Sequence, residues 1–499
     1  MCAAIRHRRS LRVTLCLASL GAAVACAASQ GAATTASPGA VATAAPSAEA
    51  VATPGTAVTP AGKPPTVGAP GIGDPDFPFD GNGGYDVRHY TLRLSYDPAT
   101  RRLAGSAIVK AKAVQDLDAF NLDLRGLRVD RVTVDGTPAG FRREGDELVI
   151  QPAARIAKGA RFTAQVDYGG EPQPIREDAS LGVYGFIATT DGSFVTNEPN
   201  GAKTWFPSND HPADKATFTF EITVPDGVTA IANGELVAER KAGGGKKTFV
   251  WRERHPMATY LATMMTGKFE VRTGTTGKGI PIYTAVDPAF RGSLGYLYEE
   301  TKRLTDHWTT VFGPYPFSST GGVIDNFTAG YALEVQTKPV YGGFVPRTGT
   351  IAHELAHQWF GNSVTIARWR DLWLNEGFAT YAEWLWSEHR GEATTDQIFR
   401  QYYTQASDQI WRHPPAVARP NNLFHASVYK RGAMTLHVLR RTIGDEKFFR
   451  LIREWTGANR HGNVTTEQFI RLAEEISGKR LQELFDAWLY QPGRPAQVP

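Results

Sequence analysis

Beyond residue 26 the sequence contains no cysteine; its three are Cys2, Cys16 and Cys26. The rest of the chain therefore has no disulfide and no cysteine nucleophile, and any metal held there must rely on histidine and carboxylate. A long apolar run is missing as well. The strongest candidate, Val13 to Ala25, follows Arg6, Arg8, Arg9 and Arg12 and rises only about 20 Å as a helix, short of the roughly 30 Å hydrocarbon core of a bilayer. It reads as an export signal over residues 1–26 rather than a permanent span. Charge of one sign is not in excess, with 54 Lys and Arg against 50 Asp and Glu, and no basic stripe stands out, so nucleic acid is not expected as a partner. Aromatic residues are absent from position 27 until Phe77. A stretch so rich in Ala, Thr, Pro, Gly and Ser cannot offset its ordering entropy, and residues 27–80 are expected to be a disordered linker.

What the chain does have is globular in character. Hydrophobic residues make up 42% and charged residues 21%, with 11 Trp, 25 Phe and 17 Tyr, and a chain of this length calls for two folded units. Ala23, Val24 and Ala25 before Cys26 resemble a bacterial lipobox, although Ala23 stands where that pattern prefers Leu. Two readings stay open: a lipid anchor on Cys26, which would make the protein a cell-envelope lipoprotein, or simple cleavage near Ala27 or Ala28, which would make it secreted or periplasmic. Both place it outside the cytoplasm, and membrane association is expected only through such an anchor.

From Tyr85 to about Lys268 the pattern is one of short alternating runs such as His89 to Tyr96, punctuated by turns such as Asp135-Gly136, which predicts an all-β domain over 81–270. Helical periodicity appears in Leu294 to Trp308, Thr350 to Phe360, Asn375 to His389, Ala433 to Arg441 and Thr466 to Ile476. A mainly helical domain over 271–499 is expected from it.

Within that second domain, His353-Glu354-Leu355-Ala356-His357 is an HExxH segment followed by Gly361. Two histidines four apart share one helix face, so both imidazoles can reach a single metal, and Glu354 lies where it can polarise a water on that metal. Glu376, in Asp371-Leu372-Trp373-Leu374-Asn375-Glu376-Gly377-Phe378, completes a His-His-Glu set and leaves a fourth position open. Asn375 is expected to cap its helix. Glu383, seven positions after Glu376, and Asp371 are weaker candidates for orienting that set, since exposed helix carboxylates are the default. His211, His425 and His437 lack ligand spacing.

The stretch from His353 to Trp384 closely resembles the aminopeptidase N family of gluzincin metallopeptidases, which includes leukotriene hydrolase. The resemblance runs from about Tyr85 to the C-terminus. It implies one zinc ion per chain on His353, His357 and Glu376, and a β-sandwich-like, antiparallel N-terminal domain followed by a thermolysin-like catalytic domain, with the site at their junction. Tyr331-Ala332-Leu333-Glu334-Val335 aligns with the family's GAMEN edge strand, matching it literally only at Ala332 and Glu334. Glu334 is thereby implied as the anchor for a substrate α-amine. Thr196-Asn197-Glu198-Pro199, with Phe206-Pro207 and Asp210 beyond it, resembles the segment carrying a second amine anchor and points to Glu198. Val428-Tyr429-Lys430-Arg431-Gly432-Ala433 resembles the segment whose Tyr steadies the oxyanion, the role implied for Tyr429.

The implied activity is removal of N-terminal residues from peptides with a free N-terminus, Glu354 acting as general base. An endopeptidase or another gluzincin hydrolase, such as one acting on epoxides, remains an alternative, as does a binding protein that keeps the fold without turnover. Many family members continue for hundreds of residues past the segment resembling Trp488 to Gly493. The resemblance therefore implies a compact form, without the helical domain that covers the site in those relatives.

Overall fold

The computed structural model describes residues 66–176 and 182–496. The export signal, all three cysteines and the first part of the linker lie outside the described residues.

The alternation read in His89 to Tyr96 forms one strand, Tyr85–Asp97, in which Tyr90, Leu92, Leu94 and Tyr96 are buried. This strand lies within an eight-stranded sheet whose order is 235–241, 246–258, 215–225, 85–97, 102–113, 161–170, 128–134, 137–138. Neighbours run antiparallel except 85–97 against 215–225, which pair in parallel. Asp135 and Gly136, both with positive φ (50° and 80°), make the two-residue turn between paired strands, as a tight hairpin demands. A three-stranded sheet (120–123, 147–151, 140–144) and a four-stranded sheet (229–232, 264–267, 193–196, 185–188) complete the β domain. The last of these delivers residues 193–196 to the site.

Residues 66–80, assigned above to the linker, are ordered against the domains. Gly68 N–H donates to the Ala119 carbonyl at 2.9 Å. The buried carboxylate of Asp74 accepts from the Trp369 N–H at 2.8 Å and faces His211 Nε2 at 3.2 Å. Phe77 packs against the Trp369 ring, 5.7 Å between centroids. The composition looks unstructured, but one aromatic and one buried acid tie the segment down.

The second domain opens with a five-stranded sheet in the order 270–275, 281–286, 320–325, 340–342, 332–333. Around it lie α1 (Leu294–Val311), α2 (Thr348–Ala356), α3 (Trp373–His389), α4 (Thr395–Gln405), α5 (Asp408–Arg412), α6 (Gly432–Ile443), α7 (Asp445–Ala458), α8 (Thr466–Ser477) and α9 (Gln482–Phe485). α4 and α7 were not anticipated, although Phe448, Leu451, Ile452 and Trp455 of α7 are buried at helical spacing. α2 and α3 are joined by the stacked rings of Phe360 and Phe378, 4.3 Å apart and 8° from parallel. α3 meets α6 backbone to backbone: a Cβ on Gly377 would lie 3.1 Å from Gly432 Cα, and one on Gly432 would lie 3.0 Å from Gly377 Cα. Only glycine permits that approach. The half-buried Lys215 of the β domain donates to the carbonyls of Asn362 and Ser363, each at 2.9 Å, clamping the two domains together. Among the described residues no helix is long and apolar enough to cross a membrane.

Candidate active site

His353 and His357 lie one turn apart on α2 and just beyond its end, their rings 4.8 Å between centroids. Their Nε2 atoms approach Glu376 Oε2, in the first turn of α3, at 3.3 and 3.4 Å. The three donor atoms lie within 4.8 Å of one another. Each outer nitrogen is held: His353 Nδ1 donates to Glu383 Oε1 at 2.7 Å and His357 Nδ1 donates to the Phe360 carbonyl at 3.0 Å. With both Nδ1 atoms committed as donors, two imidazole lone pairs and a carboxylate oxygen converge on one point. Such a cluster is satisfied by positive charge, whether protons on the imidazoles or a metal ion.

The electrostatics say the same. Burial opposes charge on His353, yet hydrogen bonds to Glu376 and Glu383 hold its pKa well above the ordinary value. His357 is likewise held up, at about 9, against burial by the charges of Glu376 and Glu334. Burial alone would raise Glu376, but His357 and His353 draw it down to about 2. The same charges that favour protons on these imidazoles would favour a metal ion, which would compete with protons for the same atoms. Two imidazoles and one carboxylate with their outer nitrogens anchored fit zinc.

Glu354 is buried on α2, and burial pushes its carboxyl up to about 8, with His353 and His357 opposing. Glu334 follows the two-residue edge strand Ala332–Leu333, which pairs with residues 340–341. Its backbone carbonyl accepts from Gln358 Nε2 at 3.2 Å and Asn362 Nδ2 at 2.7 Å. Glu198 comes from the β domain on a loop fixed by Asn197, whose amide bridges the Ala262 carbonyl and the Trp205 indole N–H. Carboxylate oxygens of Glu198, Glu334 and Glu376 lie within 4.8 Å of one another. Glu198 Oε1 and Glu334 Oε1 are buried without a hydrogen-bond partner. Burial first, then Glu334, Glu376 and Glu354, raises Glu198 well above the carboxylate range.

A cavity of about 190 Å³ opens onto this cluster, with Glu198, Ala332, Tyr331, Phe424 and Tyr429 in its wall. Tyr331, standing where the resemblance has Gly, donates to the Val183 carbonyl and shares a hydrogen bond with Thr196 Oγ1, each at 2.8 Å, and so bridges the domains. Tyr429 lies on a π-helical turn (Ser427–Arg431), its ring 17° from parallel with that of His353 and 6.3 Å away. Burial, then the charges of Glu376 and Glu198, lifts the phenol pKa well above its ordinary value, so the hydroxyl keeps its proton.

The structure thus brings together His353, His357, Glu376, Glu354, Glu334, Glu198, Ala332 and Tyr429. Glu383 does orient His353, but Asp371 does not touch the site; it binds Thr466 and Arg368. Asn375 is no cap: α3 begins two residues earlier, at Trp373, and the Asn375 side chain is buried beside Tyr260. His211, His437 and His425 are occupied by Asp74, Asp396 and Ser427. Sequence reasoning missed Gln358 and Asn362, whose only signal is their place directly after the HExxH segment. It also missed Tyr260, a buried phenol beside Asn375 whose pKa is raised by burial and then by Glu334 and Glu198.

Comparison with known proteins agrees with this geometry. Residues 87–261 match the family model of the peptidase M1 N-terminal domain, and residues 347–488 that of the peptidase family M1 domain. The solved M1 zinc metallopeptidase of Deinococcus radiodurans is 30% identical, superposes with a TM-score of 0.79 and covers 86% of this chain and 100% of its own. A mutant of that enzyme bound to a Tyr-Ser-Ala substrate matches equally, at a TM-score of 0.79. Aminopeptidase M1-C of Oryza sativa subsp. japonica is 29% identical over 448 residues, covering 82% of this chain and 50% of itself. Tricorn protease-interacting factor F2 of Thermoplasma acidophilum is 25% identical over 441 residues, covering 82% of this chain and 54% of itself. The chain spans about half the length of these curated relatives.

Proposed function

This chain belongs to peptidase family M1, and from that premise we propose that it is a zinc-dependent aminopeptidase releasing single residues from the free N-terminus of peptides. The observation that carries the reading is the pair of unpartnered buried oxygens on Glu198 and Glu334, beside the three-acceptor cluster of His353, His357 and Glu376. Four buried carboxylates, counting Glu354, share the site with two imidazoles. Burial and mutual repulsion disfavour charge on Glu198 and Glu334, and an ammonium placed beside them would favour their ionised form. Two carboxylates fixing one ammonium set the register, so that only the first peptide bond reaches the reacting centre.

His353, His357 and Glu376 would hold one zinc ion per chain. When bound, zinc supplies Lewis-acid polarisation of a carbonyl and acidification of a water. Glu354 accepts the proton of the attacking water and passes it to the leaving amine. The Tyr429 phenol donates to the developing oxyanion without adding charge. Glu334 and Glu198 grip the α-ammonium, and the backbone of Ala332, on the edge strand, lies alongside the substrate. The relatives' names and the tripeptide bound by the Deinococcus enzyme support a peptide substrate.

The test is a panel of aminoacyl fluorogenic substrates with free and acetylated amines. Hydrogen bonds to charged groups contribute roughly 1.5 to 3 kcal/mol each, so losing two should lower kcat/KM on the order of a hundredfold or more. Internal cleavage of acetylated peptides at comparable kcat/KM would make the protein an endopeptidase. Full zinc loading without turnover would make it a binding protein.

We also propose that the chain is exported. The support is the Arg-led apolar segment before Cys26; fractionation of cells expressing the wild type and Cys26→Ser would separate a lipid anchor from simple cleavage.

A further inference from the structure

Arg431 is fully buried, yet among the described residues no carboxylate pairs with it. Its Nε donates to the Trp488 carbonyl at 2.9 Å, Nη1 to that of Trp411 at 3.1 Å, and Nη2 to those of Ala487 at 2.9 Å and Gln491 at 2.6 Å. The carbonyls of residues 487, 488 and 491 lie in and just past the π-helical turn Asp486–Tyr490 that continues α9. The end of a helix leaves such carbonyls without internal partners and carries partial negative charge, so a buried cation is favourable there. The Trp411 carbonyl belongs to α5, and its ring also packs beneath the guanidinium, 5.7 Å to the centroid.

Arg431 and Tyr429 share one five-residue π-helical turn (Ser427–Arg431). Side chains two positions apart on a helical turn leave on opposite faces. The face that presents the phenol to the cavity is therefore backed by the face that Arg431 ties to α5 and to the segment after α9. The Tyr429 hydroxyl makes no hydrogen bond with another described residue, so its position is set by the backbone beneath it. The turn continues directly into α6, where Gly432 abuts Gly377, the neighbour of Glu376.

We infer that Arg431 is a positioning residue: by binding four carbonyls behind the turn, it fixes where the Tyr429 phenol stands relative to His353. This rests on the oxyanion role proposed for Tyr429. Only a planar fork with several directed N–H groups can serve four carbonyls at once; an ammonium is a single point with three donors.

The experiment is a cycle of Arg431→Lys, Tyr429→Phe and the double variant, measured with free-amine substrates on zinc-loaded protein below the Tm. A displacement of about 1 Å can cost up to a hundredfold, so Arg431→Lys should lower kcat roughly ten- to a hundredfold, with zinc content and KM near wild type. In the Tyr429→Phe background it should cost little more, since no phenol is left to place. The same loss of kcat in both backgrounds would overturn the inference and leave the oxyanion reading intact. Wild-type turnover in Tyr429→Phe would remove the oxyanion reading itself. Should Arg431→Lys fail to fold, hydrogen exchange on the wild type in dilute urea reads the same link: kcat should fall together with protection of residues 486–491, and kcat unchanged while that protection is lost would refute it.

Discussion

The Asn362 side-chain amide donates a 2.7 Å hydrogen bond to the backbone carbonyl of Glu334. The loop that follows the two histidines thus holds the strand proposed to grip the substrate amine, and Gln358 adds a second bond to the same carbonyl. The proposed metal site and the proposed amine site are built from one hydrogen-bonded unit.

Asn362→Ala should therefore act through Glu334. Loss of one buried hydrogen bond is worth about 1 to 2 kcal/mol, so kcat/KM for free-amine substrates should fall roughly tenfold and the gap to acetylated substrates should narrow. In a Glu334→Ala background the same change should have little further effect, which steady-state kinetics on the four proteins would establish.

Glu354→Gln should keep the metal and lose turnover by about 10²- to 10⁴-fold, because the amide has the shape of the acid but cannot accept a proton. Metal analysis beside rate measurements decides the matter. Near-wild-type activity would take Glu354 out of the reaction.

Removing the partner of His353 should have the opposite signature. Glu383→Ala leaves His353 Nδ1 without its acceptor and should weaken zinc affinity about 10- to 100-fold while excess zinc restores most of the rate. Chelator competition measures this directly.

Asp214 gives a pH test away from the metal. Burial raises its pKa to about 7, against hydrogen bonds from the Val87 N–H and the Asn209 amide. A carboxyl whose folded pKa lies above its unfolded value of 3.8 binds its proton more tightly in the folded state. Its contribution is complete below that unfolded value and is lost as pH rises through about 7. Tm should thus decline between pH 4 and pH 8, and Asp214→Asn should flatten that slope. An unchanged slope would show that Asp214 does not carry it.

The ring pair joining α2 to α3 is a stability test. Phe378→Ala removes a buried ring stacked at 4.3 Å on Phe360 and should cost about 3 to 5 kcal/mol, read from urea unfolding of the zinc-free and zinc-loaded protein.

Glu334, Glu198 and Tyr429 were legible only through the family resemblance; the parts of the site that could be read from the residues alone are those set by local periodicity. His353 and His357 share a face whatever the rest of the chain does, and Glu383 follows Glu376 by two helical turns. Gln358 and Asn362 could not be assigned, because their partner lies 24 and 28 residues away on a strand whose placement is tertiary. Asn375 failed as a cap because α3 starts two residues earlier, drawn in by the buried Trp373. Residues 66–80 misled because composition averages over a segment, whereas Asp74 and Phe77 act singly.

The contact of Gly377 with Gly432 has a mechanical consequence. With no side chain between them, the backbone beside Glu376 and the backbone leading from Tyr429 meet directly, so their spacing is set by backbone contact and they form one jaw. Glu198 reaches the cavity from the other domain, tied to this one by side-chain hydrogen bonds of Tyr331 and Lys215 rather than by backbone on backbone, and any adjustment to a ligand is expected on that side. Across complexes with ligands of increasing size, the separation of Glu376 and Tyr429 should serve as a constant ruler against which the displacement of Glu198 is measured.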